Sequence, residues 1–585
     1  MKLMIPLIKR SFFRTPLAVY TLAVTFIFVL GFFIHYGREA RHSKSWQYVM
    51  SDDQLVYWSI AKGRMMSPRC DGNPYYYEEQ GTRNIIPFTT AEVIGLVSKY
   101  TKIPLEWFFP LWQILMPLFV WFVIAVCCWK LWNYPLSVSA AAALLLLLGT
   151  LFCPWPGIHT TLFRFSRPLD GIAPIFLWIS LIYKGDPGNK KHHIAIIMTA
   201  ALTLWLQPFY AVFCLWITVF EYMSSIAQRG GFLKHRLYFH ALGSSLVSGL
   251  IFADYAFHGK NITAAYLPTR DAPGGAPLFC LLMTLLMLIV VVSVVIFFYV
   301  CLKKEVSPLD RLMTAWTFFG VLIYATLKPL SELTIHMLYF APVMILSSAG
   351  WIHEKISILK GTRYFSFFSR AVVILSVFFL AAALISKKNF FSLESRHYFV
   401  YIPQYFFIML FSFWLSARFH LIKTWVMQKK TVCGIILLLA VAGFWKMPLS
   451  LWNRDFSFGG GYQWLKAHAQ QNDVVLTASF KCMYSEYLFY KTGLKSYFTD
   501  HGQASEFRRT PKAFRINFVN GLLLGLLDHM PHYGSLPLAQ KLRFFKLDYV
   551  LIPKPSPFLE EVTTQLKGHL QEVYQDQKCL LWKVI

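Results

Sequence analysis

About thirteen apolar runs of spanning length, separated by short loops rich in Lys and Arg, restrict this chain to very few folds. Inside hydrocarbon every backbone N–H and C=O has to be paired within the protein, and a helix does this within a single segment. The runs lie near residues 17–34, 108–129, 136–153, 171–183, 194–206, 210–227, 238–257, 277–302, 312–327, 333–350, 370–386, 399–417 and 432–448. With 56% hydrophobic and 15% charged residues and a mean hydropathy of +0.47, the 585 residues read as an α-helical polytopic membrane protein. Gln207-Pro208 interrupts one long apolar stretch. Proline cannot donate to a helical ladder, so the pair marks a tight turn between two spans or a re-entrant break.

A formal charge of +27 would suit a nucleic-acid partner if the cations were gathered on a folded surface. Here they sit in alternate loops. Lys184, Lys190, Lys191, Lys303, Lys304, Lys429 and Lys430 fall on the same side as the N-terminal Lys2, Lys9, Arg10 and Arg14, and the intervening loops hold fewer. That asymmetry sets orientation in a membrane and predicts a cytoplasmic N-terminus with no nucleic acid as partner. The first run has no small-residue cleavage site and reads as a retained helix.

An odd number of spans sends the C-terminus to the opposite face. The expected division is a membrane unit over residues 1–451, with a long first outer loop at 35–107, and an extracytoplasmic domain over 452–585. That domain is expected to be mixed α/β, with a helix opening near Gly461 and strands at 473–478, 547–552 and 579–585. Gly459-Gly460-Gly461 lacks the Lys-Ser/Thr of a phosphate loop and reads as a hinge. Cys482 and Cys579 either form a disulfide or remain two buried thiols.

Chemistry concentrates at Ser51-Asp52-Asp53, just beyond the first span. Ser51 caps a helix whose unpaired first N–H groups favour negative charge, which alone accounts for two acids there. Their position adds a second reading, because a carboxylate at the outer end of a span stands where a membrane-bound donor meets a water-side acceptor.

Asp52-Asp53, Tyr57, Ile60-Ala61-Lys62-Gly63, then Asn73-Pro74, Glu78 and Ile86-Pro87-Phe88, resemble the first outer loop of class C integral-membrane glycosyltransferases. The resemblance implies transfer of a sugar from a polyprenyl-phosphate carrier to a lipid, glycan or protein acceptor on the outer side of a bacterial inner membrane. It also implies a catalytic Asp, either Asp52 or Asp53, acting as general base while the phosphate leaves against cations. The other acid would position the acceptor or bind a divalent metal, Mg or Mn. Tyr57, Glu78 and His159 would line or support the site.

Two stretches could hold the leaving phosphate. Arg164 and Arg167, in the second outer loop, resemble an Arg-bearing stretch of bacterial relatives, although the same residues could anchor a helix end at headgroups. Lys328, Glu332 and His336 stand where family members place Glu followed by Arg. His336 departs from that pattern, and Glu332 with His336 could equally form a buried pair on one helix face. In the tail, Tyr484, Tyr487, Tyr490, Tyr497 and Asp500-His501 divide between an acceptor surface and ordinary core. The competing functions are a lipid or solute transporter, for which mid-depth acids and internal repeats would speak, and a noncatalytic scaffold.

Overall fold

The computed structural model describes residues 16–43, 52–66, 89–131, 136–152, 169–206, 208–227, 232–258, 459–477, 484–496, 547–554 and 568–585, with isolated positions between 311 and 445 and at 564. The runs expected from residue 277 to 448 lie almost entirely outside the described residues.

Nine helices run between residues 16 and 258: α1 (Pro16–Ser43), α2 (Asp52–Met66), α3 (Thr89–Thr101), α4 (Leu105–Leu131), α5 (Leu136–Phe152), α6 (Leu169–Lys184), α7 (Lys190–Leu206), α8 (Pro208–Ala227) and α9 (Phe232–His258). Seven of them, α1 and α4 to α9, cover the first seven apolar runs. The stretches Pro16–Arg38 and Leu105–Lys130 are long and apolar enough to cross a membrane. The second, of 26 residues, extends about 39 Å at 1.5 Å per residue, enough to cross a hydrocarbon core of about 30 Å.

The seven pack around one apolar core that includes Phe28, Trp121, Phe176 and Trp178, all fully buried. Several polar side chains of these helices donate to backbone carbonyls. The Thr21 and Thr25 hydroxyls donate to carbonyls one turn back, at 2.8 and 2.7 Å, and the Trp121 indole donates to the Ala140 carbonyl at 3.0 Å. Gly31 lets the Phe444 ring lie against the α1 backbone, since a Cβ there would come within 2.1 Å of it. Small residues permit this kind of close approach between spans.

The helix ends follow from local chemistry. Asn189 caps α7, its side-chain oxygen accepting the Lys191 N–H at 2.9 Å. The expected break falls between α7 and α8. The chain ends one helix at Leu206 and restarts at Pro208, where proline's missing donor is one a helix start leaves unpaired anyway. On α8, the buried Glu221 carboxylate is neutralised by Arg311 at 3.0 Å.

The tail contains α10 (Gly459–His468), β1 (Val474–Thr477), α11 (Tyr484–Thr492), β2 (Lys495–Ser496), β3 (Tyr549–Pro553), β4 (Leu570–Gln575) and β5 (Cys579–Val584). The strands form one mixed sheet in the order β2-β1-β3-β5-β4. Both partners of β1 run parallel to it, and β3-β5 and β5-β4 are antiparallel. The runs Val474-Val475-Leu476 and Val550-Leu551-Ile552 are buried throughout, as strands covered on both faces require. Alternate residues Val475, Tyr549, Leu551, Cys579 and Leu581 join one apolar cluster with α10 and α11.

Two readings of the tail are settled here. Gly459-Gly460-Gly461 is the first turn of α10, not a hinge: a Cβ on Gly460 would come within 1.7 Å of the Tyr574 hydroxyl, so glycine is what lets this helix pack against β4. Cys579 is a free buried thiol in β5. Burial, with the nearby Asp576 carboxylate, pushes it up to about 12, so little reactive thiolate forms near neutrality.

Candidate functional site

Helix α2 begins at Asp52, so the acidic pair forms its opening turn. The helix is fixed from the next turn onward. Tyr57, Trp58, Ser59, Ile60 and Ala61 are all buried, with Trp58 stacked on Phe109 of α4 at a centroid separation of 4.8 Å and 16° between planes. A second ring beside Trp58 is that of Tyr490 of α11, at 5.2 Å. On the α3 side, a Cβ on Gly95 would fall 2.3 Å from the Ala61 carbonyl oxygen, so glycine sets that close approach, and Arg64 reaches Glu92 at 3.8 Å. Ring stacking, close packing and an ion pair together hold the axis of α2, and with it the backbone that carries Asp52 and Asp53.

Tyr57 is 5% exposed inside the cluster shared by α2, α3, α4 and the tail, which makes it structural support. Tyr487 and Tyr490 belong to the same core, so their part in an acceptor surface is set aside. The positions of Glu78, His159, Arg164, Arg167, Lys328, Glu332 and His336 lie outside the described residues, as do Tyr497, Asp500 and His501.

An acid the sequence reading passed over stands out. Asp170, in the first turn of α6, is 2% exposed and accepts a 2.6 Å hydrogen bond from the Thr90 hydroxyl in the first turn of α3. The contact ties the first loop to the head of an apolar span. Two features of the sequence point to it: Pro168 immediately before a helix start, and a lone carboxylate at the head of an apolar helix. Such a group can orient an acceptor hydroxyl or compensate positive charge developing on a sugar ring.

Two lysines near the site, Lys62 on α2 and Lys491 on α11, both feel Glu106 in the first turn of α4 and Lys466 on α10. Burial, and the neighbouring Lys466, lower the Lys62 and Lys491 ammonium groups against the partly offsetting Glu106, Lys491 to about 8. Burial, with Glu106 close by, raises the Tyr490 phenol well above its ordinary range. Among the described residues no group of three or more His, Cys, Asp or Glu side chains could hold a metal ion.

No protein-family model matches the sequence, and no curated protein matches it. In structure the chain is similar to ArnT from Cupriavidus metallidurans bound to undecaprenyl phosphate, at 10% identity and a TM-score of 0.40, over 97% of this chain and 98% of that one. It is similar to the apo state of the same protein at 10% identity and a TM-score of 0.41, over 96% and 98%. An overlap at that level assigns no role to an individual residue.

Proposed function

We propose that this chain is a class C membrane glycosyltransferase that moves a sugar from a polyprenyl-phosphate carrier to an extracytoplasmic lipid, glycan or protein acceptor. The observation that carries the reading is the acidic opening turn of α2, held by a helix wedged between the head of a spanning helix and the tail. ArnT bound to undecaprenyl phosphate, the structural neighbour described above, is consistent with a polyprenyl carrier without bearing on the residues.

In this scheme Asp52 or Asp53 takes the proton of the acceptor hydroxyl as its oxygen bonds to the anomeric carbon. The bond from that carbon to the carrier's phosphate oxygen breaks with its electron pair, leaving polyprenyl phosphate. Arg164 and Arg167 compensate the leaving charge, with Lys328 and His336 as further donors. The buried Asp170 orients the acceptor or steadies the cationic ring. The lipid tail lies among the spans. Outward-facing apolar side chains such as Leu111, Leu115 and Phe119 on α4 suit contact with acyl chains. The reading puts the protein in a bacterial inner membrane, with its N-terminus cytoplasmic and residues 452–585 periplasmic.

The test is mass spectrometry of envelope glycolipids and glycoproteins from a strain lacking the protein, complemented with wild type, Asp52→Asn or Asp53→Asn. The expected result is a sugar missing in the deletion, restored by wild type and not by at least one of the two folded variants. Full restoration by both would overturn the assignment of the base, and an unchanged envelope in the deletion would overturn the transferase.

A further inference from the structure

The 3.6-residue repeat divides the surface of α3 into three strips. Ala91, Ile94, Gly95 and Ser98 are buried, and on this side α3 packs on α2, where Gly95 admits the Ala61 carbonyl. Glu92 and Lys99, seven positions apart, share a narrow charged strip, and Glu92 pairs with Arg64 of α2. The third strip is apolar and open. Val93, Val97 and Tyr100 stand there at i, i+4 and i+7, all exposed, Tyr100 at 75%. The packing on α2 is complete without them.

The open strip continues past the end of α3. Ile103 at the corner and Trp107 in the first turn of α4 are exposed, Trp107 at 72%, and Leu111, Leu115 and Phe119 follow at intervals of four. Single exposed apolar residues are ordinary on a protein surface; an unbroken line of them marks a contact. Its lower part lies on a helix long enough to cross a membrane, so it faces acyl chains.

The placement of α3 decides what the upper part meets. At its start, the Thr90 hydroxyl bonds Asp170 in the first turn of α6 at 2.6 Å. At its end, a three-residue corner leads into the head of α4, and hydrogen bonds fix that corner: the Ser98 hydroxyl donates to the Ile103 carbonyl at 2.6 Å and the Trp107 N–H to the Pro104 carbonyl at 3.1 Å. Held at both ends to the heads of two apolar helices, α3 lies across the end of the bundle and does not project from it.

We propose that α3 is an interfacial helix whose Val93, Val97 and Tyr100 dock on the phospholipid leaflet at the N-terminal end of α4, with Tyr100 and Trp107 as aromatic anchors at the headgroup boundary. Lys102, exposed at the corner, stands at headgroup level. Because α2 is packed on α3, the docked helix also sets the height of the acidic opening turn above the bilayer. The docking rests on α4 as a span and not on sugar transfer.

To test it, the full chain is placed in phosphatidylcholine nanodiscs, one chain per disc, with a phospholipid carrying a diazirine on its acyl chain close to the glycerol. After irradiation the labelled peptides are mapped by mass spectrometry, and a parallel sample is footprinted from the water side with hydroxyl radicals. Expected is insertion into peptides covering Val93 to Tyr100 as well as those covering Leu111 to Phe119, with loss of oxidation at Tyr100 and Trp107. In the double variant Val93→Asp with Val97→Asp, insertion into α3 is lost and insertion into α4 is kept, since carboxylates are costly in hydrocarbon. No insertion into α3 of the wild type overturns the proposal, and the radicals then report the cover: an oxidised Tyr100 lies in water, an unoxidised one under another segment of the chain. Insertion that vanishes in discs loaded with two chains assigns the face to a second copy and overturns it too. The wild-type result carries the test should the double variant fail to fold.

Discussion

Replacing Thr90 with Val is the sharpest probe of how the first loop is fastened to the spans. The substitution keeps the shape of the side chain and removes one donor, the hydroxyl 2.6 Å from the buried Asp170 carboxylate. A hydrogen bond to a charged acceptor contributes roughly 1.5–3 kcal/mol, and its loss at a buried site is not recovered from water. The interaction of Asp170 with the start of α6, worth about 0.3–1 kcal/mol, is untouched. Thr90→Val should therefore lower the unfolding free energy by about 1.5–3 kcal/mol. In the background of Asp170→Ala the same substitution should cost close to nothing, giving a coupling of at least about 1 kcal/mol in a double-mutant cycle. Urea titration of the purified protein, read by tryptophan fluorescence, measures all four corners. Transfer should fall about tenfold in Thr90→Val if Asp170 meets the acceptor, because a small misplacement near reacting atoms is costly. A coupling below about 0.5 kcal/mol would refute the claim that this contact fastens the loop.

Three further outcomes follow from the geometry. Gly460→Ala should destabilise the tail by about 1–3 kcal/mol in thermal unfolding, because its Cβ would meet the Tyr574 hydroxyl, and Tyr574→Phe should recover part of that loss. Lys491, lowered to about 8 in the fold against an ordinary 10.5, imposes a cost that is fully present below pH 8 and fades as pH rises toward 10.5, where the unfolded chain holds the proton longer. Unfolding free energies of wild type and Lys491→Met should therefore converge between pH 8 and 10.5 by on the order of 3 kcal/mol, and parallel curves would refute it. Lys102 holds a left-handed backbone, φ 62°, at the corner between α3 and α4, so Lys102→Gly should raise the unfolding free energy slightly, by about 0.5–1 kcal/mol, and a fall in it would contradict the strain.

The first seven runs were legible because an apolar stretch of spanning length has one structural outcome in hydrocarbon, and the break at Gln207-Pro208 because proline has no donor. Three strands were legible for a related reason: Val474-Val475-Leu476, Tyr549-Val550-Leu551-Ile552 and Cys579-Leu580-Leu581-Trp582 are continuous buried runs. The edge strand Leu570–Gln575 escaped because every one of its residues is half-buried or exposed, so it carries no buried apolar run. Strand β2 has two residues, too few for any periodicity. Of the site, the acidic turn of α2 could be read from Ser51 and the charge that follows it. Asp170 was marked only by Pro168 and its place at the head of an apolar helix, and nothing local names its partner Thr90, eighty positions earlier.

The least legible feature is also the one with the most consequence for function. Trp58 and Tyr490 are separated by more than four hundred residues, and neither sequence neighbourhood names the other as a partner. Yet their contact, with Phe109 completing the group, gives α2 and the tail one core. Packed interiors resist continuous deformation, so a shift of the tail has to be passed to α2 or break this cluster. The acidic turn six residues before Trp58 would be carried with it over about 9 Å of helix. In the proposed transferase, an acceptor that displaces the tail therefore moves the general base as well. Position of the base and occupancy of the acceptor side become one mechanical variable.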